Sequence, residues 1–260
     1  MIFHISYAIL IFMLKSLIVK TDKKIFGGKF KKIYHYLNHK KEYEKKIKNL
    51  NLKFNRNEKK IILLSDLLKK SPEDGVIVEC GVGVGFSLTV IANLSKKMIY
   101  AFDSFSGFPD KISEKDKSKN DTQNLLKVLK YSKFHYKLMS IDVVKKNLVN
   151  NGVNEKNIEN NIKFIKGFFP DSFGNFNEKI SFLHLDVDLY DSYKECLKFF
   201  FPKMINGGII TFDEYIEDSA SSIKKGYGWH GAKVAINEFV KINNLNLMEH
   251  STGFKYIVIN

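Results

Sequence analysis

Cysteine is scarce in this chain of 260 residues: there are two, Cys80 and Cys196, far apart in sequence. That spacing offers neither a disulfide framework nor a zinc cluster, and it points to a reducing compartment. Arginine is scarcer still, with Arg56 alone among 42 basic residues, while Lys, Asn and Ile abound. Such usage fits an AT-rich genome. An uninterrupted apolar run of the roughly 20 residues that a membrane-spanning helix needs is also missing. The opening "MIFHISYAILIFMLKSLIVK" is apolar only as far as Lys15, and it has neither a basic n-region nor a small-residue cleavage site. A secreted protein is not expected, and the expected location is the cytoplasm.

Acidic charge is sparse in one place. Residues 1–70 hold 18 Lys+Arg against 5 Asp+Glu, a net of +13, which leaves 24 against 23 for the remainder. The sequence therefore divides into a basic, helical extension over residues 1–70 with an apolar N-terminal helix, and a near-neutral domain over residues 71–260. A nucleic-acid enzyme would carry its basic face on the catalytic domain, so no nucleic-acid partner is expected. Two readings of residues 1–20 stand side by side. One is an interfacial helix held at the inner membrane by the lysines behind it. The other, which we favour, is a helix packed against the domain or a partner subunit, with the lysines a solvated face.

What is present is a regular alternation. Residues 57–70 carry a helical apolar stripe that ends at Ser71-Pro72. Apolar strands are expected at 76–80, 98–103, 162–166, 180–187, 208–213 and 254–259, with helices at 86–95, 141–150, 191–201 and 231–242. This order implies parallel pairing and a doubly wound α/β sheet, with ligands outside the carboxyl ends of the strands. Residues 111–139, rich in Lys, Asn and Ser, interrupt the pattern as an insertion with a helical stretch at "TQNLLKVLKYS".

The first strand ends in "VECGVGVGFS", where Gly81, Gly83 and Gly85 leave the turn without side chains. A bare strand-to-helix turn lets a ligand approach the backbone and the free N–H groups of a helix start. Phe86 stands where a dinucleotide fingerprint would need glycine. With Glu79 the spacing is E-x-G-x-G-x-G, which resembles the first motif of class I S-adenosylmethionine-dependent methyltransferases. At the end of the second strand Asp103, in "YAFDSFSGFPD", can accept hydrogen bonds from both ribose hydroxyls. Ser104 beside it, and Gly167 and Phe168 after the third strand, complete the expected cofactor contacts; Phe168 and Phe169 are read either as adenine neighbours or as core.

Acids gather further on. "LHLDVDLYDSY" places Asp186 and Asp188 two apart at a strand end, on one face if the backbone stays extended. "GGIITFDEY" ends the neighbouring strand with Asp213 and Glu214. Converging carboxylates raise one another's pKa unless a cation joins them, and oxygen-only ligands favour a hard ion such as Mg²⁺. Asp186 or Asp188 is the candidate general base. His184 is read as a core residue. "GYGWHGAK", residues 226–233, is either a flap over a substrate or a loop whose rings fill the domain edge.

Together "FDSFSGFPD", "FIKGFFPDSF", "LHLDVDLYDSYKECLKFFFPKMINGGIITFDEY" and "GAKVAINEF" resemble the macrocin O-methyltransferase family, whose best-known members methylate sugar hydroxyls of macrolide and aminocoumarin antibiotics. The resemblance runs from about residue 74 to 242. It implies the mostly parallel seven-stranded Rossmann-like sheet of class I methyltransferases, with S-adenosylmethionine and Mg²⁺ as cofactors and Asp186, Asp213 and Glu214 as metal ligands. The family usually shows Asp-Asp at the last pair, from which Glu214 departs by one methylene. A sugar or nucleotide-sugar acceptor for a bacterial surface glycan is expected, in a homo-oligomer. The rival readings are a methyltransferase of phenolic or catechol-like molecules and a non-catalytic, membrane-associated binding protein.

The two readings of residues 1–20 part on one deletion. If these residues pack against the protein, removing them lowers the melting temperature or splits an oligomer. Cosedimentation with anionic liposomes that is lost on the same deletion would establish the interfacial helix instead.

Overall fold

In the computed structural model, the structure describes residues 56–117, 129, 140–216 and 229–260. The apolar N-terminal segment, most of the insertion and the glycines of the 226–228 stretch lie outside these residues. Helix α1 (Arg56–Lys70) leads into β1 (Val76–Cys80), α2 (Phe86–Leu94) and β2 (Ile99–Asp103). After the insertion come α3 (Ile141–Asn150), α4 (Glu155–Asn161) and β3 (Ile162–Lys166). Then follow β4 (Ile180–Leu185), α5 (Tyr190–Phe200), β5 (Met204–Ile216), α6 (His230–Ile242), β6 (Met248–Glu249) and β7 (Phe254–Val258). None of the described helices is long and apolar enough to cross a membrane.

The strands form one seven-stranded sheet in the order β3-β2-β1-β4-β5-β7-β6. Pairing is parallel from β3 through β5, and only β7 runs antiparallel to its neighbours β5 and β6. The doubly wound expectation holds. The central strands are apolar on both faces because helices cover both: β4 is buried along its whole length. On one side Ile77, Ile99, Phe182 and Ile209 pack with α2 and α3; on the other Val78, Leu183, Ile210 and Phe212 pack with α5 and α6.

Helix α1 belongs to this body. Ile61, Leu63, Leu64 and Leu67 are at most 1% exposed and share a core with β1 and α2. The helix expected at the end of the basic extension is thus built into the core of the α/β domain, anchored by its apolar stripe. Two elements had no sequence signal: α4, whose "EKNIENN" has little apolar content, and the two-residue β6.

Part of the insertion also has a structural task. Asp116, in a single 3₁₀ turn, accepts the backbone N–H of Tyr190 at 2.8 Å and so caps α5. Lys115 beside it donates to Glu238 at 2.7 Å and to the Tyr190 hydroxyl at 2.9 Å, which ties the loop to α5 and α6. Cys80 and Cys196, far apart in sequence, meet in the core as free, buried thiols, and burial together with Cys196 pushes the Cys80 thiol up.

The tightest constraint is at Gly81. It adopts φ 85°, and a Cβ there would come within 1.8 Å of the Asp186 carbonyl oxygen. Gly81→Ala combines left-handed strain of about 1–2 kcal/mol with displacement of the β4 end, so its unfolding free energy in urea should fall steeply, by about 3 kcal/mol or more. Gly174, with φ 50° and nothing within 4 Å of the place a methyl group would take, is the control. Gly174→Ala should cost only the strain.

Candidate active site

The carboxyl ends of the parallel strands open into a cavity of about 490 Å³, a size usual for small-ligand sites. Its floor at one end is the glycine turn, Gly81 to Val84, and at the other the acidic ends of β4 and β5. Gly83 donates its N–H to Asp103 Oδ2 at 2.9 Å, and Phe105 donates to Asp103 Oδ1 at 2.7 Å. The acid after β2 and the turn after β1 are thereby held in one piece. Burial raises the Asp103 carboxyl, and these backbone donors work against the rise. Ser104 spends its hydroxyl on the Gly107 carbonyl at 2.6 Å, which shapes the loop.

Of the residues expected at a cofactor, Gly81, Gly83, Asp103, Ser104, Gly167 and Phe168 line the cavity. Phe168 is 42% exposed, its ring at the cavity wall. Phe169 also lines the cavity and stacks on Phe173, the ring centroids 5.4 Å apart. Glu79 and Gly85 lie behind the lining. The Glu79 carboxyl accepts a hydrogen bond from Ser87, a cavity residue, and its second oxygen is buried without a partner among the described residues. Burial, opposed by Ser87, pushes the Glu79 carboxyl up to about 8.

At the acidic end the structure adds a residue that the sequence pattern did not single out. Lys60 of α1 reaches over the Phe86 ring and places its ammonium 2.9 Å from Asp186 Oδ2 and 2.6 Å from Asp213 Oδ1. A signal for it exists: Lys60 precedes Leu64 and Leu67 by four and seven positions, on the buried stripe of α1 rather than the solvated face. Burial works against ionisation of Asp186, but the Lys60 ammonium outweighs it and holds the carboxyl well below the usual carboxylate range.

The acids do not gather as strand alternation suggested. β4 ends at Leu185, and Asp188 takes φ 60° in a tight turn closed by Leu189 N–H to the Val187 carbonyl at 2.5 Å. Asp188 therefore reaches Asp186 through a turn and not through shared strand parity. Two groups form around Asp186. His184, Asp186 and Asp213 bring one ligand atom each within 4.8 Å of one another, and so do Asp186, Asp188 and Glu214. Asp213 and Glu214, adjacent in sequence, fall in different groups. Glu214 is buried and accepts a hydrogen bond from the Tyr193 hydroxyl, which also lies 2.9 Å from the Leu185 carbonyl oxygen. His184 is wholly buried, as expected of a core residue: Nδ1 meets the Thr211 hydroxyl at 2.8 Å and Nε2 has no partner among the described residues. Burial and the nearby Lys60 lower its pKa to about 4, so the ring is neutral.

Beyond the acids the cavity wall turns aromatic. Trp229, the described part of the "GYGW" loop, stands 5.8 Å from Phe108, and Asp191, Ser192 and Glu195 from the start of α5 join the lining. The sequence pattern marks Trp229 as a candidate flap residue but does not single out Phe108 or the α5 residues.

A parallel sheet reversed only at its last strand, with its cavity between a glycine turn and acidic strand ends, is the architecture of a class I methyltransferase. The family model of macrocin-O-methyltransferase (TylF) matches residues 64–239, and the chain belongs to that family. It is an S-adenosylmethionine-dependent O-methyltransferase. Among solved structures, that of the O-methyltransferase NovP is similar at 20% identity, with 78% of this chain and 80% of that chain covered and a TM-score of 0.59. CalS11, described as a calicheamicin methyltransferase, is similar at 19% identity over 88% and 91% of the two chains, with a TM-score of 0.57. An apo structure of CalS11, described as a TDP-rhamnose 3'-O-methyltransferase, gives 17% identity, 88% and 92% coverage and a TM-score of 0.50. At such identities the likeness is one of fold. No curated protein matches in sequence.

The raised Glu79 pKa fixes a sign. A carboxyl whose folded pKa of about 8 exceeds its ordinary 4.5 contributes stability that is complete below pH 4.5 and is lost as pH rises through 8. The loss is on the order of 5 kcal/mol at full extent. Glu79→Gln keeps an acceptor for Ser87 and cannot ionise, so its urea stability should fall less than wild type's between pH 5 and pH 8. Parallel curves for the two proteins would show that Glu79 does not titrate in this window.

Proposed function

We propose that the protein methylates a hydroxyl of a sugar, with a divalent cation, Mg²⁺ in the cell, at the carboxylates around Asp186. The observation that carries this reading is the continuity of one cavity from the glycine turn and Asp103 to Asp186, Asp188 and Asp213, so that a methyl donor and an acid-bound hydroxyl can share it. The donor set suits the ion: Asp186, Asp188 and Glu214 offer only carboxylate oxygens, the chemistry that a hard cation selects. When bound, such an ion lowers the pKa of a coordinated hydroxyl and stabilises the developing alkoxide.

The chain's own residues do the rest. Asp103 is aligned by Gly83 and Phe105 in the cavity lining, where its carboxylate is placed to accept a ribose hydroxyl. Of the two candidate bases, Asp186 is kept ionised by Lys60 and is a poor proton acceptor, which favours Asp188. Methyl transfer then requires alignment of oxygen, carbon and sulfur, a task of positioning that the cavity walls perform.

For the acceptor, the Phe108 and Trp229 rings offer apolar faces, and Asp191, Ser192 and Glu195 offer hydroxyl partners, a combination suited to a sugar ring. Lys111, also in the lining, is placed to meet a phosphate of a nucleotide-activated sugar. The structurally similar CalS11 is described as acting on such a molecule. Together with the AT-rich composition, this supports a nucleotide sugar or surface glycan of capsule or lipooligosaccharide type as acceptor, handled in the cytoplasm.

Two measurements test the reading. Asp103→Ala should weaken binding of S-adenosylhomocysteine about tenfold or more, since hydrogen bonds to a charged group contribute about 1.5–3 kcal/mol. Asp186→Ala, or excess EDTA, should abolish turnover on a panel of nucleotide sugars while leaving that affinity nearly intact. Full turnover in EDTA would remove the metal from the scheme, and turnover on catechols alone would remove the sugar.

A further inference from the structure

Beyond the acidic strand ends, the cavity wall is assembled from three separate stretches of chain. The segment after β2 lends Phe108 and Lys111, the first two turns of α5 lend Asp191, Ser192 and Glu195, and the start of α6 lends Trp229. One buried side chain, Asp116, meets all three stretches. It is 5% exposed and belongs to the segment after β2, where its Oδ2 accepts the Ser113 N–H at 3.2 Å. Its Oδ1 accepts the Tyr190 N–H at 2.8 Å, at the start of α5. At α6 the contact is steric: a Cβ on Gly231 would come within 1.9 Å of Asp116 Oδ1 and 3.0 Å of the Tyr190 Cβ. The carboxylate therefore lies against the first turns of two helices, where negative charge is favoured. The neighbouring tie from Lys115 to Glu238 joins side chains that are 47% and 42% exposed, so solvent screens it and it contributes little.

We infer that Asp116 is a positioning residue for the acceptor: it fastens the starts of α5 and α6 to the segment after β2 and so sets the wall that receives the acceptor. The inference rests on the reading above that places the acceptor at this end of the cavity, and it does not involve the metal. The donor end has fastenings of its own, the close packing at Gly81 and the Gly83 bond to Asp103. Loosening Asp116 thus disturbs acceptor recognition and leaves the donor in place. Gly231, in the "GYGWHGAK" stretch, is bare because the carboxylate occupies the room a side chain would take.

Trp229 is the only tryptophan of the chain, so its fluorescence reports on this wall without acceptor or turnover. With S-adenosylhomocysteine bound to the full-length chain, Asp116→Ala should shift the Trp229 emission to the red and raise its quenching by acrylamide. The affinity of that variant for S-adenosylhomocysteine should stay within about twofold of wild type, roughly 0.4 kcal/mol. Gly231→Ala presses on the carboxylate from the other side and should shift the emission in the same direction. In the Asp116→Ala background the added methyl group meets no carboxylate, and the shift should not grow. Lys115→Ala should leave the emission at its wild-type position. In turnover with a nucleotide sugar, Asp116→Ala should raise the acceptor KM about tenfold or more, within the range for a misplacement on the ångström scale. Asp116→Asn, which keeps Oδ1 for Tyr190, should lie nearer wild type. Circular dichroism melts set a temperature at which the variants are folded, and Asp116→Asn and Gly231→Ala carry the test if Asp116→Ala does not fold. A residue that serves stability alone would lower kcat in proportion to the unfolded fraction and leave both KM values unchanged. That pattern, equal losses for donor and acceptor, or Trp229 spectra indistinguishable from wild type would overturn the inference. A wild type that methylates no nucleotide sugar while the Trp229 shifts appear would overturn the sugar reading and leave the role of Asp116 standing.

Discussion

The turn after β1 and the turn after β4 touch through bare backbone, and the site depends on that contact. Asp186 N–H donates to the Cys80 carbonyl at 2.9 Å, and the space that a Gly81 side chain would need is filled by the Asp186 carbonyl. A glycine turn of this kind invites the explanation that a ligand needs the room. At Gly81 the neighbouring strand needs it first. The consequence is geometric: the loop expected to meet the cofactor and the first acid of the cluster at the β4 and β5 ends are joined at van der Waals distance, with no flexible element between them. Catalysis by positioning benefits from such rigidity, since small displacements between donor and acceptor are costly. Gly83 and Asp103 extend the same rigid unit across β2.

Electrostatics at the other end of the cavity follow a different logic. Four carboxylates gathered on two strand ends would drive one another toward protonation. Lys60 prevents this at Asp186, and Tyr193 supplies a hydrogen bond to Glu214. The lysine comes from α1, outside the βα alternation that builds the rest of the site. Its helix is fixed by Ile61, Leu64 and Leu67 in the core, so the ammonium is delivered by apolar packing and not by a flexible tail. That arrangement joins the first helix of the described structure to the chemistry at the far ends of the strands.

What the sequence revealed follows from the range of the signals. Strands β1, β2, β4 and β5 were legible because two buried faces require continuous apolar runs, the edge strand β3 because its residues alternate, and the helices between them because one face is apolar. Gly83, Asp103 and the acids were legible because each falls at a strand end. The features that escaped were those in which distant segments meet. Lys60 reads as one more lysine of a basic segment until α1 is folded onto β4 and β5. Asp116 lies in an insertion that looks like solvated loop, yet it caps α5. The parity argument for Asp186 and Asp188 failed because it extended the strand past Leu185, where the backbone turns through a left-handed residue. Their proximity was right and its cause was not.

The split of Asp213 from Glu214 shows how one family position can change meaning. In an extended strand, adjacent residues project to opposite faces, so a pair of acids can share a metal only if the strand end is distorted or the side chains reach around. The longer Glu214 side chain takes its carboxyl to Tyr193 and to the side of Asp188, while Asp213 turns to Lys60. A lysine in the core helix and a glutamate in place of the second aspartate thus belong to one electrostatic solution. Each would be hard to rationalise alone: the lysine would crowd a two-aspartate site, and the extra methylene would have nowhere to go. Together they place one cation among four carboxylates and send the Glu214 carboxyl to a buried hydroxyl, away from Lys60.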